Sequence, residues 1–178
     1  MPFEFVKQEI PDVLLIKPKV FEDERGFFFE MYKSSDFKSH IPFDFVQENY
    51  SFSKKGVIRG LHYQKNPYEQ GKLVSCIKGS IFDVVIDIRK NSPTYGKFIT
   101  AILSEKNKYL LWIPPGFAHG FLALEDSVVL YSCTKEYVSQ SEASIIWNDS
   151  DIAINWPITN PILSQKDALA PNLKESEK

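Results

Sequence analysis

The chain has 178 residues, enough for one domain with a sizeable core. Its 21 basic and 23 acidic residues leave a net charge of −2, which gives no footprint for nucleic acid and no polybasic membrane anchor. No apolar run approaches the roughly 18 residues of a membrane span, and the charged start MPFEFVKQEI carries no signal-peptide pattern.

Short runs rich in β-branched and aromatic residues, bounded by turn residues, predict strands along most of the chain. The first lies at 13–16 and continues through 17–21. Asp23-Glu24-Arg25-Gly26 is a turn, and 27–32 resumes an extended run. Residues 36–40 fit one helical turn. Strands follow at 45–50, 57–63 and 72–78, and Gly79-Ser80 turns the chain into 81–89. In that run Phe82, Val84, Ile86 and Ile88 share one face, while Asp83, Val85 and Asp87 share the other. Carboxylates that face a core are costly unless paired or in a site; alternation alone does not say which face is inside. Further strands are predicted at 97–103, 109–113, 117–124 and 128–138. Cys76 and Cys133 sit in such runs without a CxxC pattern, which reads as reduced core thiols of a cytoplasmic protein. From Asp149 onward the chain carries Pro157, Pro161 and Pro171 among polar segments, with a turn of helix expected at 166–170 and fraying at 174–178. About ten short strands and scarcely a helix point to an all-β sandwich or jelly roll.

The chain has three histidines, His40, His62 and His119. Two stand in marked surroundings: Arg59-Gly60-Leu61-His62-Tyr63-Gln64 and Ile113-Pro114-Pro115-Gly116-Phe117-Ala118-His119-Gly120-Phe121. Histidine titrates nearest neutrality, so two in apolar strands suggest proton or anion handling; a hydrogen-bonded core histidine is the plain alternative. The Pro-Pro-Gly-Phe-Ala-His stretch resembles the second half of the cupin signature. Metal-binding cupins carry a His-x-His pair in the first half, but Gln64 follows His62 here, and Lys72 brings a cation where an acidic ligand would be expected.

Metal-free acid–base chemistry fits these residues better. Removing a proton from carbon beside a carbonyl takes a base, a group that orients it, and donors for the charge that develops on oxygen. His62 is the candidate base, with Asp167 or Asp83 as its carboxylate partner. Lys72 is the candidate donor to an enolate oxygen, and Tyr131 the candidate acid. The plain alternatives are a surface charge for Lys72, a packed aromatic for Tyr131 and a turn cap for Asp167. Arg25 and Arg59 suit phosphate oxygens, although Arg25 also fits a local ion pair with Asp23 or Glu24. The odd spacing of Arg59 and His62 sets them on opposite faces of a regular strand unless Gly60 hosts a bulge.

Taken together, the stretches at 19–30, 59–64, 71–74, 82–89, 112–121 and 146–149 resemble the dTDP-4-dehydrorhamnose 3,5-epimerase family. The likeness runs from Ile10-Pro11-Asp12-Val13 to Leu163-Ser164-Gln165-Lys166-Asp167-Ala168. The resemblance implies a single cupin-type jelly-roll domain over 1–178 with a short, partly helical tail from about 165. It also implies a homodimer without metal or cofactor, in which roughly the first 50 residues contribute to the dimer and the neighbouring site. The implied reaction inverts the two carbons that flank the 4-keto group of a dTDP-linked 6-deoxyhexose. By the same resemblance His62 is the base, Asp167 its partner, Tyr131 the proton donor on the opposite sugar face, and Lys72 the neighbour of the keto oxygen. Arg59 and His119 match residues holding the diphosphate and sugar, while Gln47, Asn49, Glu142 and Lys166 match other substrate-binding positions. Arg25 and Glu30 match residues that reach the nucleotide in the neighbouring subunit. Glu48 departs from the family's aspartate between Gln47 and Asn49.

Rival readings are a single-centre epimerase, a ketoisomerase on a similar 4-keto sugar, a metal-dependent cupin, and a non-catalytic sugar-nucleotide-binding cupin. The joint presence of His62, Tyr131 and Asp167 weighs against the last. No glycine-rich dinucleotide fingerprint is present.

Overall fold

A computed structural model describes residues 2–176. The strands are β1 (Phe3–Lys7), β2 (Leu14–Pro18), β3 (Phe21–Asp23), β4 (Gly26–Phe28), β5 (Gln47–Ser53), β6 (Ile58–Gln64) and β7 (Lys72–Lys78). They continue as β8 (Ser80–Asp87), β9 (Phe98–Ser104), β10 (Leu110–Ile113), β11 (Phe117–Ala123), β12 (Ser127–Cys133) and β13 (Glu142–Ser144). The short helices are α1 (Ser34–Phe37), α2 (Gln165–Ala168) and α3 (Leu173–Ser176). A six-stranded sheet in the order β1-β2-β10-β7-β12-β5 faces a five-stranded sheet in the order β13-β6-β11-β8-β9, and β3–β4 forms a separate hairpin. All the named strand pairs are antiparallel, as the jelly-roll reading expects.

The period-2 pattern sorts each strand into layers. Val74, Cys76, Ile81, Val85, Phe121 and Val129 meet between the sheets, and Ile10 and Val13 join them there. Behind the five-stranded sheet, Leu61, Val84, Ile86 and Leu122 pack against Ile145, Ile152, Trp156 and Leu173 of the C-terminal segment. Outside the six-stranded sheet, Leu14, Ile16, Leu73 and Trp112 are covered by Phe3, Phe37 and Ile41. Each such side chain contributes about 1.5–3 kcal/mol on full burial. Both cysteines are free and buried, and burial pushes the Cys76 thiol up to about 11.

Several expectations are corrected. The strand predicted at 128–138 stops at Cys133, where Gly71 and Thr134 bond each other through both backbone and side chain. The extended run predicted at 27–32 is paired only to Phe28. Strands β1 and β13 lie outside the predicted runs, because each is short and held by its partner strand. The C-terminus is not frayed through 176: Leu173 and Ser176 are buried, Tyr63 Oη donates to Ser176 O at 3.1 Å, and Asp149 Oδ2 accepts from Leu173 N at 2.8 Å. Positions 177 and 178 lie outside the described residues. Among the described residues no helix is long and apolar enough to cross a membrane.

Candidate active site

The space between the sheets is apolar at one end and polar at the other. Its polar end is built from inward-facing positions of β5, β6, β7 and β12. A pocket of about 210 Å³ there is lined by Gln47, Asn49, His62, Lys72, Tyr131 and Glu142, with Tyr63, Gln64, Gln70 and Tyr137 completing it. The last four escaped the sequence reading. Gln64 alone carried a signal, standing two positions after His62.

A bulge in β6 sets the orientation. His119 pairs with His62 and Phe121 with Arg59, so two residues of β6 lie opposite one of β11. The extra residue brings Arg59 and His62 to the same inner face, resolving their odd spacing. Gly60 makes this possible: its φ is +124° and an added Cβ would lie 2.5 Å from Gly120 Cα. Arg59 then turns to β5, donating from Nε to Ser53 Oγ at 2.8 Å and from Nη2 to Phe52 O at 2.9 Å.

His62 is partnered by Asp167, with Nε2 and Oδ1 2.5 Å apart. Asp167 sits in the first turn of α2, where its amide donates to the N-cap Ser164 Oγ at 3.1 Å. So Asp167 is not itself the cap; Ser164 is. Burial alone would raise the Asp167 pKa, but hydrogen bonding and charge from His62, with Ser164 and the Gly60 amide, hold it below the usual carboxylate range. The carboxylate therefore stays ionised and accepts a hydrogen bond from the ring nitrogen that faces it, which fixes how the imidazole is turned. Asp83, the other candidate partner, is bound elsewhere. It points between the sheets, fully buried, and its two oxygens lie 3.0 and 2.9 Å from His119 Nε2.

The facing wall comes from the six-stranded sheet. Lys72 Nζ lies 5.9 Å from the centre of the Tyr131 ring. Burial lowers the Lys72 pKa, and the neighbouring Cys133, Asp83 and Glu142 oppose that shift. Burial raises the Tyr131 pKa, keeping the phenol protonated. Gln47 Nε2 donates to Asn49 Oδ1 at 3.1 Å, and Asn49 Nδ2 donates to Cys133 Sγ at 3.6 Å. Glu48, the departure from the family pattern, points to the other side of β5 and accepts from Ser132 Oγ at 3.0 Å. Its extra methylene thus lies off the pocket.

Glu142 closes the rim. Tyr137 Oη donates to it at 2.8 Å and Lys166 forms an ion pair with it. Burial would raise the Glu142 pKa; Lys166 and Tyr137 bring it below the usual value. Lys166 thereby ties α2 to β13 beside Asp167. Arg25 and Glu30 are not brought to the pocket within this chain. Arg25 stands exposed in the β3–β4 turn, paired with Asp23 at 2.5 Å, and Glu30 follows β4. His119 is buried beside Asp83 and is not among the residues that line the pocket.

A jelly roll of cupin type that sets a histidine–carboxylate pair across a polar pocket from a lysine and a tyrosine has the layout of a proton-transfer enzyme. The sequence profile of the dTDP-4-dehydrorhamnose 3,5-epimerase family matches residues 7–175. A dTDP-4-dehydrorhamnose 3,5-epimerase of Shigella flexneri is 53% identical over 165 residues, 91% of each chain. The crystal structure of dTDP-4-dehydrorhamnose 3,5-epimerase from Sulfolobus tokodaii superposes with a TM-score of 0.93 at 52% identity, covering 99% of this chain and 98% of that one. A 3,5-epimerase from Legionella pneumophila in complex with dTDP-4-keto-L-rhamnose gives a TM-score of 0.93 at 45% identity over 97% of this chain and 93% of that one. The chain belongs to the dTDP-4-dehydrorhamnose 3,5-epimerase family.

Proposed function

We infer that this chain inverts C3 and C5 of dTDP-4-dehydro-6-deoxy-D-glucose to give dTDP-4-dehydro-L-rhamnose, a step of dTDP-L-rhamnose biosynthesis. The observation that carries this reading is the His62–Asp167 pair facing Lys72 and Tyr131 across one pocket. The 4-keto group acidifies the C–H bonds at C3 and C5. His62 takes the proton, and Asp167 stabilises the imidazolium. Lys72 donates to the enolate oxygen. Tyr131, on the opposite sheet from His62, delivers a proton to the other face of the carbon. Water then returns a proton to the tyrosinate and removes one from His62, and the cycle repeats at the second carbon. Hydrogen leaves and returns as a proton, so this chemistry calls for no redox cofactor. Acid–base terms of this kind contribute about 10²–10⁴ in rate.

Arg59, His119, Gln47, Asn49, Glu142 and Lys166 act as substrate-binding groups in this reading. Arg25 and Glu30 serve the pocket of a second subunit in a homodimer, with roughly the first 50 residues forming the shared region and the whole chain acting as one domain. The β3–β4 hairpin supports this: Phe21, Phe27 and Phe28 are 50%, 60% and 65% exposed, an apolar surface suited to a protein partner. Two buried free thiols accord with a cytoplasmic setting.

The test is incubation with dTDP-4-dehydro-6-deoxy-D-glucose in deuterated water, following C3 and C5 by NMR and mass. Deuterium at both carbons, lost in His62→Ala, is the expected result. Label at one carbon would make the protein a single-centre epimerase, and label at neither would overturn the reading.

A further inference from the structure

We propose that Gln64 is a positioning residue for substrate binding: its side-chain amide clamps the segment 136–138 across the mouth of the pocket, and so fixes Tyr137 and, through it, Glu142. The proposal rests on the epimerase reading above and extends it to a residue which that reading leaves without a task.

Three observations carry it. First, Gln64 is buried, two positions after His62 on the pocket face of β6, and backbone groups take up its amide. Oε1 accepts from Val138 N at 2.6 Å, while Nε2 donates to Tyr68 O at 2.9 Å and lies 3.4 Å from Glu136 O. An N–H on one side and carbonyls on the other fix which way the amide is turned. A side chain committed in this way holds loops, and each partner it lost would leave a buried polar group unsatisfied. Second, the clamped segment is where the chain crosses between the sheets. β12 ends at Cys133 in the six-stranded sheet, and β13 begins at Glu142 in the five-stranded one. On the way Tyr137 N donates to Gln47 Oε1 at 2.8 Å, so the consecutive amides of 137 and 138 are held by glutamines from opposite sheets. At Tyr68, Gln64 also holds the loop on which this segment leans: Gln70 Nε2 donates to Lys135 O at 2.7 Å, and Lys135 Nζ to Pro67 O at 2.5 Å.

Third, the side chain carried by the segment belongs to the pocket. Tyr137 lines it and, although half exposed, donates from Oη to Glu142 at 2.8 Å. Glu142 lies directly opposite Gln64 in the β6–β13 register and pairs with Lys166, the neighbour of Asp167 on α2. A half-exposed ring on a connection between strands keeps one place only if its backbone is held, and the two glutamine amides hold it. The rim is then ordered before the nucleotide sugar arrives, and less ordering has to accompany binding. Such an effect shows in affinity, whereas His62, Lys72 and Tyr131 keep their places for the proton transfers.

Gln64→Met keeps the length of the side chain and removes its hydrogen bonds. KM for dTDP-4-dehydro-6-deoxy-D-glucose is expected to rise about tenfold, with kcat changed less than about threefold. Backbone hydrogen exchange, followed by mass spectrometry on the whole protein, should quicken about tenfold in the peptide spanning 134–140 and stay unchanged in β8 and β11. A cycle with Tyr137→Ala separates positioning from general support: once the ring is gone, Gln64→Met should raise KM by less than about twofold more. An equal rise in both backgrounds, a loss confined to kcat, or exchange that quickens throughout the protein would overturn the proposal. Gln64→Glu keeps an acceptor for Val138 N and gives up the donor to Tyr68 O, and is the second variant should Gln64→Met not fold, judged by circular dichroism. It should raise KM about threefold and quicken exchange at 65–70; unchanged exchange there would count against the clamp. The hydrogen-exchange arm needs no substrate. If the unaltered protein leaves C3 and C5 unlabelled, the epimerase reading has failed; if it labels them normally and Gln64→Met leaves KM and the exchange at 134–140 as they were, only the Gln64 proposal has.

Discussion

His62 Nε2 and Asp167 Oδ1 lie 2.5 Å apart, although 105 positions separate the two residues in the chain. The contact joins a bulged strand of one sheet to the first turn of a four-residue helix in the C-terminal tail. That tail is fastened by Asp149 to Leu173, by Ile146 to Pro171 and by Tyr63 to Ser176. The geometry of this pair thus depends on a segment with little regular structure, held by a few hydrogen bonds and the apolar layer behind the five-stranded sheet.

In the proposed mechanism Asp167→Asn removes the carboxylate charge that partners His62 while leaving the shape intact. kcat should fall about 10²–10³-fold with KM little altered. Steady-state rates together with a thermal melt check this; a loss of activity matched by a collapse in Tm would make Asp167 a structural residue instead.

In the proposed mechanism Tyr131→Phe separates proton removal from proton delivery. The pocket keeps its base, so substrate C–H should still exchange with deuterated water, while inverted product forms at least about 100-fold more slowly. NMR of recovered substrate and product distinguishes the two. Full inversion at the normal rate would place the acid elsewhere.

Gly60→Ala tests the bulge. A Cβ there meets Gly120 Cα at 2.5 Å and His119 O at 2.8 Å, with φ at +124°. The clash is with backbone, so no side chain can yield. A loss of roughly 2–4 kcal/mol is expected, together with most of the activity, because the register that sets Arg59 and His62 on one face is lost. Urea unfolding and rate measurements on the same sample check both; a neutral outcome would remove the bulge from the account.

Asp87 governs acid stability. Its burial would raise the pKa, but hydrogen bonds from Arg89, Ser92 and Thr94 bring it down to about 2. Arg89 Nη2 also reaches Asp12 at 2.9 Å. A carboxyl with a folded value below its unfolded value of about 3.9 contributes stability that is complete above pH 4 and lost as the pH falls through 2, on the order of 2 kcal/mol. Asp87→Asn should lower stability at pH 7 and flatten its dependence between about pH 4 and 2. Unfolding curves at several acid pH values would show otherwise if the slope of the variant matched that of the parent.

By itself the sequence determined the strands with strong local patterns. β7 appears at the predicted 72–78, and β6, β8 and β11 within two residues of expectation, because alternation and turn residues are properties of adjacent positions. It also pointed to the glycine at which β6 bends and, through resemblance, to six of the residues that line the pocket, Gln47, Asn49, His62, Lys72, Tyr131 and Glu142. Tertiary structure decided what depends on which face is inside and on who meets across the chain. Alternation groups Asp83 with Val85 and Asp87, but only the packing of one sheet on the other buries that face and gives Asp83 to His119 rather than His62. The choice of Asp167 for His62 likewise rests on how the tail packs behind the sheet. Local pattern fixes which side chains share a face; the sign of that face, and every contact closed over a long stretch of chain, follows from how the layers pack.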